Sequence, residues 1–357
     1  MNADLPIEIV TFVLALAALI IIHEFGHFLV ARLLNVEVEE FGLGFPPRMA
    51  TLFHAWGTRF SLNWLPFGGF VRPKGENDPT VEGGLAASSP WVRLAVYIAG
   101  PMANLLVGVL LYALIFSKIG VPIPEQVKVI EVAPGSPAAQ AGLLPGDLLV
   151  GVNELEINST LDLQDAIREN LDQSIVIEYS RNGEVGQVTL IPRSNPPEGQ
   201  GAIGIVMGNP TRTVSVLAAA PTGAAAVVRH GQQLLAFPVR MIRGQIAPEE
   251  GRLVGFKGMF DIYQEVRQTE TTPTIPAGVN VLGFFATITI SLGILNLLPI
   301  PALDGGRIMF TLPEVFLGRR VPPKYENVIN LVSFALLLVL MLVINLQDFL
   351  NPVQLPK

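Results

Sequence analysis

His23-Glu24-Phe25-Gly26-His27 stands inside a nearly uncharged run from Pro6 to Leu34, and the reading of that run decides the fold. Crossing a hydrocarbon core of roughly 30 Å takes about 20 helical residues, so the run is long enough to span a membrane. Met1 to Ile9 holds no Lys or Arg and carries Asp4 and Glu8 instead, which predicts a retained span and not a signal peptide. On a helix, residues four apart share a face one turn apart. Both imidazoles can therefore share a Zn²⁺, with Glu24 beside them as a candidate general base. Each charged group at mid-bilayer costs about 2.5–3.5 kcal/mol, so packing alone is a poor reason for His23, Glu24 and His27 to be there. A bound metal accounts for them.

Outward from this run, the whole chain fits a membrane setting. Of 357 residues, 50% are apolar and only 15% charged, against roughly 25% charged in an average soluble domain. Three further apolar runs, Leu94 to Ser117, Thr271 to Leu303 and Asn327 to Gln347, predict a polytopic α-helical membrane protein with about four transmembrane helices in a lipid bilayer. A net charge of −7 with no basic face argues against a nucleic-acid partner, and the absence of cysteine excludes disulfides and thiolate chemistry. Arg48, Arg59, Arg72 and Lys74 follow the first run, and Arg307, Arg319, Arg320 and Lys324 follow the third. The N-terminal flank has no basic residue and the C-terminal flank only Lys357. Basic short loops stay cytoplasmic, so both termini and the segment from Lys118 to about Glu270 are expected outside.

Within that outer segment, Glu125 to Arg193 alternates short β-prone runs with turn signals and one helical stretch, Asp162 to Asn170. It reads as a small inserted β-rich domain with Ser194 to Gln200 as its exit linker. Val214 to Arg243 is apolar but holds Pro221, Gly223 and Pro238, which favours helices at the membrane surface over a fifth span. The expected organisation is an N-terminal membrane half over 1–117, the inserted domain over 118–200, an interfacial connection over 201–270 and a C-terminal membrane half over 271–357. Phe60 to Trp64 alternates apolar and polar residues, which predicts a membrane-associated hairpin whose edge there could pair with an extended substrate.

A catalytic zinc usually takes three protein ligands and keeps one open position. His54 and His230 are weak candidates for the third, one in a loop between Phe53 and Trp56 and the other in the outer segment. Asp304 is better placed. It ends the third run, whose direction matches the first, so Asp304 and His23 fall toward the same side of the bilayer. Pro6 to His23 is about 25 Å of helix, which puts the metal in the cytoplasmic half. Pro299 and Pro301 remove helix hydrogen bonds just before Asp304, and irregular backbone at membrane depth is tolerated where it lines a cavity or is buried in protein.

These residues carry a resemblance. His23 to His27, with Asn296-Leu297-Leu298-Pro299-Ile300-Pro301-Ala302-Leu303-Asp304-Gly305, resembles the site-2 protease family of intramembrane zinc metalloproteases, nearest its bacterial sigma-E-regulating branch. Gly100 to Asn104 is similar to a small-residue motif of that branch, Phe41 to Arg72 to its membrane-dipping β-hairpin region, and Ala141 to Asp147 to a turn of its PDZ domains. The resemblance implies His23, His27 and Asp304 as Zn²⁺ ligands and Glu24 as catalytic base. It also implies that Asn296 holds the substrate backbone and that Asn104 lines the site. The expected enzyme is an endopeptidase of a bacterial inner membrane, cleaving single-span proteins such as anti-sigma factors or signal-peptide remnants. An upstream protease would shorten the substrates first, and the PDZ-like domain would exclude uncut ones. A noncatalytic adaptor with a PDZ-like peptide sensor is the alternative, separated by the presence of Glu24; a metal transporter would need polar groups along a whole crossing path.

Overall fold

The computed structural model describes residues 5–246, 251–269 and 276–352. Met1 to Asp4, 271–275 of the expected third run, and Lys357 lie outside them. The chain folds as two compact units. One comprises 1–118 with 216–357, and the other is the insertion 119–215.

Among the described residues of the first unit, four helices are long and apolar enough to cross a membrane: α1 (Leu5–Leu33), α2 (Pro90–Ile119), α7 (Val279–Leu297) and α9 (Pro323–Leu350). Helix α2 is held on both sides by small residues, as close packing in lipid requires. A Cβ on Gly26 of α1 would fall 2.4 Å from the Ala99 carbonyl oxygen of α2, and one on Gly293 of α7 would fall 2.9 Å from that of Pro101. Thr289 Oγ1 of α7 donates to the Asn104 carbonyl at 3.2 Å, fixing the register.

Between α1 and α2, β1 (Val38–Ala55) and β2 (Thr58–Pro73) bend so that each contributes two segments to one sheet. Phe60, Ser61 and Leu62 pair on one side with Phe41, Gly42 and Leu43, and on the other with Phe53, Thr51 and Ala50. The expected edge at Phe60 to Trp64 is therefore not found over Phe60 to Leu62, which are paired on both sides. Among the described residues the sheet has two outer segments, 48–55, which joins through 58–63, and Gly69 to Pro73, which joins through 38–43. One sheet face is aromatic: Phe60 stacks on Phe41 and Phe53, at 5.6 and 4.5 Å between ring centroids, and meets Phe28 of α1. The other face is organised by Glu40, which receives Arg48 Nε and Nη2 at 2.9 and 2.8 Å and Ser61 Oγ at 2.7 Å. Burial alone would raise its pKa, but these bonds hold the carboxyl below its ordinary value.

The insertion contains β3 (Val121–Pro122), β4 (Val127–Val132), α3 (Pro137–Ala141), β5 (Leu148–Val152), β6 (Leu155–Glu156), α4 (Thr160–Glu169), β7 (Ile175–Arg181), β8 (Glu184–Leu190), β9 (Ile205–Gly208) and β10 (Thr211–Arg212). Its main sheet runs β8-β7-β5-β4-β9 around Val127, Leu149, Leu163, Ile175 and Ile177. Strand β9 pairs with β4, Val129 opposite Met207, and β10 pairs with β3. The insertion therefore extends to Ser215, past the 200 boundary read from sequence. Asp147 is buried and takes Arg181 Nε and Nη2 at 2.7 and 2.8 Å. Burial raises its pKa, yet Arg181 and the Leu144 amide hold it low.

After the insertion come α5 (Val216–Ile242), α6 (Phe256–Thr269) and, beyond α7, α8 (Asp304–Leu317). Helix α5 is continuous through Pro221 and Pro238, where the prolines predicted a break, and it is not among the four candidate spans. Its Gly223 faces the Val109 carbonyl and its Val227 packs with Ile290. Helix α6 follows Gly255, which has no side chain to cap it. Asp348, buried near the end of α9, accepts from the backbone N–H groups of Gly255 and Gly258 at 2.7 and 3.0 Å and from Arg252 at 2.7 Å. Asn345 accepts from Phe256 N–H at 3.0 Å. A transmembrane helix thus supplies the N-terminal cap of α6.

Candidate metal centre

Three side chains from two helices converge. His23 Nε2 lies 3.1 Å from Asp304 Oδ2 and 3.2 Å from His27 Nε2, and His27 Nε2 lies 3.3 Å from Asp304 Oδ2. Four-coordinate zinc with bonds of about 2.0–2.1 Å has ligand atoms about 3.3–3.4 Å apart, so this triangle fits one face of that tetrahedron. Two ring nitrogens and a carboxylate oxygen, largely shielded from water and aimed at one point, are a donor set that a divalent cation satisfies.

The local folding of each piece explains the convergence. Helix α1 sets the imidazoles one turn apart, and Gly26 between them lets α2 approach. The α7 helix stops at Leu297, and a turn over 298–303 with Ala302 at φ +74° re-aims the chain so that Asp304 opens α8. Gly305 and Gly306 sit directly beneath that turn, where a Cβ would fall 1.9 Å from the Leu298 oxygen and 2.5 Å from that of Ile300. Ala302 N–H donates to Asn330 of α9 at 3.0 Å. His27 Nδ1 donates to the Val96 carbonyl at 2.7 Å, which leaves the Nε2 lone pair available to a metal. Gly100, one turn further along α2, gives the His27 ring its space, since a Cβ there would fall 2.3 Å from Nε2.

These three side chains open on a cavity of about 390 Å³ that also reaches Glu24, Asn296 and the sheet edge from Gly69 to Pro73. The Val71 backbone N–H is turned to the Glu24 carboxylate, and a Cβ on Gly69 would touch Glu24 Cγ at 3.4 Å. Asn104 is fully buried behind His23 and not on the cavity wall. Pro299 and Pro301 shape the turn, whereas Ala302 and Leu303 line the cavity. His54 lies exposed on β1 opposite Arg59, and His230 lies on α5. Sequence reasoning missed Arg307, which also lines the cavity, pairs with Glu76 and lies 5.7 Å from the Tyr97 ring. It stands one turn after Asp304, and that spacing was the available signal.

The model of peptidase family M50 matches residues 11–340. The chain belongs to peptidase family M50. Relatives match it end to end: a "Putative zinc metalloprotease" of Clostridium acetobutylicum is 30% identical over 97% of this chain and 98% of its own. Another protein of that printed name, from Campylobacter jejuni, is 32% identical over 96% and 93%. The zinc metalloprotease RasP of Oceanobacillus iheyensis is 25% identical over 95% and 98%. A solved PDZ domain of Listeria monocytogenes matches 23% of this chain and 87% of its own, with 24% identity and a TM-score of 0.21, a score that carries no argument here. This M50 chain is a zinc metalloendopeptidase of the site-2 protease family and a multi-pass membrane protein, so the adaptor and transporter readings fall away.

Proposed function

We propose that this M50 peptidase cleaves single-span transmembrane proteins within the bilayer, with His23, His27 and Asp304 holding zinc and Glu24 as the general base. One observation carries the reading: three candidate ligand atoms 3.1–3.3 Å apart share a cavity with a glutamate and with one outer strand segment of a sheet. Zinc supplies Lewis acidity there, polarising a peptide carbonyl and making water nucleophilic near neutral pH. Glu24 takes the proton of the attacking water and returns it to the leaving nitrogen, a role that asks for a carboxylate within reach of both. The edge from Gly69 to Arg72 holds the substrate extended by strand addition. Asn296 Nδ2 is engaged by the Leu292 carbonyl at 2.9 Å, which leaves its oxygen to receive a substrate N–H. A helical substrate must unwind to fit such an edge, and the turn interrupted by Pro299 and Pro301 keeps the opposite wall free of regular helix.

The basic loops favour a bacterial inner-membrane orientation with the zinc toward the cytoplasm and both termini and the insertion outside. In the insertion, a groove of about 420 Å³ lies between α4 and the sheet-edge strand β9, the arrangement by which a PDZ-like domain takes a peptide. That supports a filter that admits only substrates already shortened by another protease, in signalling through anti-sigma factors or in clearing signal-peptide remnants. The deciding experiment compares the unmodified chain with Glu24→Gln on a reconstituted single-span substrate in detergent. Zinc bound by both with cleavage only by the unmodified chain is expected; equal cleavage by both rejects the mechanism.

A further inference from the structure

The back of His23 carries an inconsistency that identifies a new role for Asn104. His23 directs Nε2 at Asp304 and His27, and its Nδ1 lies 3.3 Å from Asn104 Nδ2. Asn104 is 0% exposed, and its Oδ1 has no hydrogen-bond partner among the described residues. In that arrangement an amide N–H faces Nδ1, so Nδ1 must be the unprotonated nitrogen and Nε2 must carry the proton. A histidine in that tautomer cannot give Nε2 to a metal, because the lone pair there is taken.

One rotation removes that conflict. The oxygen and nitrogen of an asparagine amide are nearly the same size and their assignment follows from the hydrogen bonds. Turning the Asn104 amide by half a turn places Oδ1 opposite Nδ1. The orphan oxygen then accepts Nδ1–H, and Nε2 is left with its lone pair aimed at the point where Asp304 Oδ2 and His27 Nε2 meet. We infer that Asn104 is a positioning residue of the metal centre, whose side-chain oxygen fixes the tautomer and ring orientation of His23. It is the counterpart of the Val96 carbonyl on His27. Helix α2 thus braces both histidines from behind, once with backbone and once with a side chain. The Asn104 backbone is anchored in turn, since its carbonyl receives Thr289 Oγ1 at 3.2 Å from α7. This places Asn104 behind the metal and not against substrate.

The inference rests on zinc being held by His23, and the experiment separates the two. The full chain in detergent, stripped of metal, is titrated with Zn²⁺ against a chelator of known affinity, unmodified and as Asn104→Asp and Asn104→Leu. A carboxylate can only accept from Nδ1–H, so Asn104→Asp should bind zinc at least as tightly as the unmodified chain. Leucine fills the same space and accepts nothing, so Asn104→Leu should bind 10- to 100-fold more weakly, the usual loss for a partner of a ligating histidine. Leucine within twofold of the unmodified chain overturns the role. So does an aspartate variant more than tenfold weaker, and this arm decides the matter if the leucine variant fails to fold. Failure of the unmodified chain to bind zinc would instead reject the ligand set itself.

Discussion

Gly100→Ala tests the metal centre through a residue that donates nothing to it. The His27 ring is pinned at Nδ1 by Val96 and lies over Gly100. An added Cβ would stand 2.3 Å from Nε2, 2.6 Å from Cε1 and 2.7 Å from Cδ2. Ordinary contact begins near 3.4 Å, so the ring must retreat by about 1.1 Å. Zinc–nitrogen distances hold within about 0.2 Å of 2.0–2.1 Å, and a retreat of that size takes Nε2 out of coordination. Loss of one ligand should weaken zinc at least about 100-fold, which at 1.36 kcal/mol per decade is about 2.7 kcal/mol. Helix propensity pulls the other way, since alanine in a helix gains about 1 kcal/mol over glycine, so the helix itself is not weakened. Gly108→Ala is the control. It also sits on α2 and also creates a clash, 2.5 Å to Ile290 Cγ1, but away from the histidines. Overpacking there should cost about 1–3 kcal/mol of stability with zinc affinity unchanged. The assay is metal content and chelator competition on purified protein, alongside thermal unfolding of the metal-free chain. Gly100→Ala with unmodified zinc affinity would refute the geometry of His27 described above.

Other residues give independent checks. Asp304→Asn keeps the size and removes the anion, so zinc affinity should fall at least about tenfold; undiminished binding would remove Asp304 from the ligand set. Asp348→Leu strips the cap from α6 and leaves Arg252 buried without its partner, a change worth about 3–5 kcal/mol locally. Backbone amides of α6 should then exchange with solvent far faster while those of α2 do not, and equal protection in both proteins would contradict the cap. Asp147→Asn breaks the pair with Arg181 and should destabilise the insertion, by less than the loss of a fully buried pair because Arg181 keeps 35% of its side chain exposed to water. The Asp147 pKa is depressed on folding, so its stabilisation is fully present above the unfolded value near 3.9 and is lost as pH falls through the lower folded value. Calorimetry should therefore show the insertion's unfolding temperature level from pH 8 to 5 and falling below about 4, more steeply in the unmodified chain than in Asp147→Asn.

How much was legible in advance follows from the range of each interaction. The His23, Glu24 and His27 spacing is a one-turn property of a helix, so sequence alone placed those groups together. The four spans are a property of long apolar runs, and three of them reappear as helices with ends shifted by one to four residues. The third run was read too long at its C-terminal end because the turn over 298–303 depends on two prolines and on Gly305 and Gly306 packing beneath it. The edge strand was misassigned because alternation tells which way side chains face and not how many neighbours a strand has; Phe60 to Leu62 alternates as an edge would, yet it is paired on both sides.

The sequence by itself determined the class of the protein: a membrane chain with a metal-binding helix, an inserted β domain and a second motif ending in Asp304. Only the tertiary structure decided which groups support those residues. Val96 and Gly100 behind His27, Asn104 behind His23 and Asp348 capping α6 are each tens of residues or more from what they hold, and nothing in local spacing encodes their contact. The physical reason is that a ligand's identity is set by its own atoms, whereas its tautomer, orientation and room are set by whatever helix packs against it.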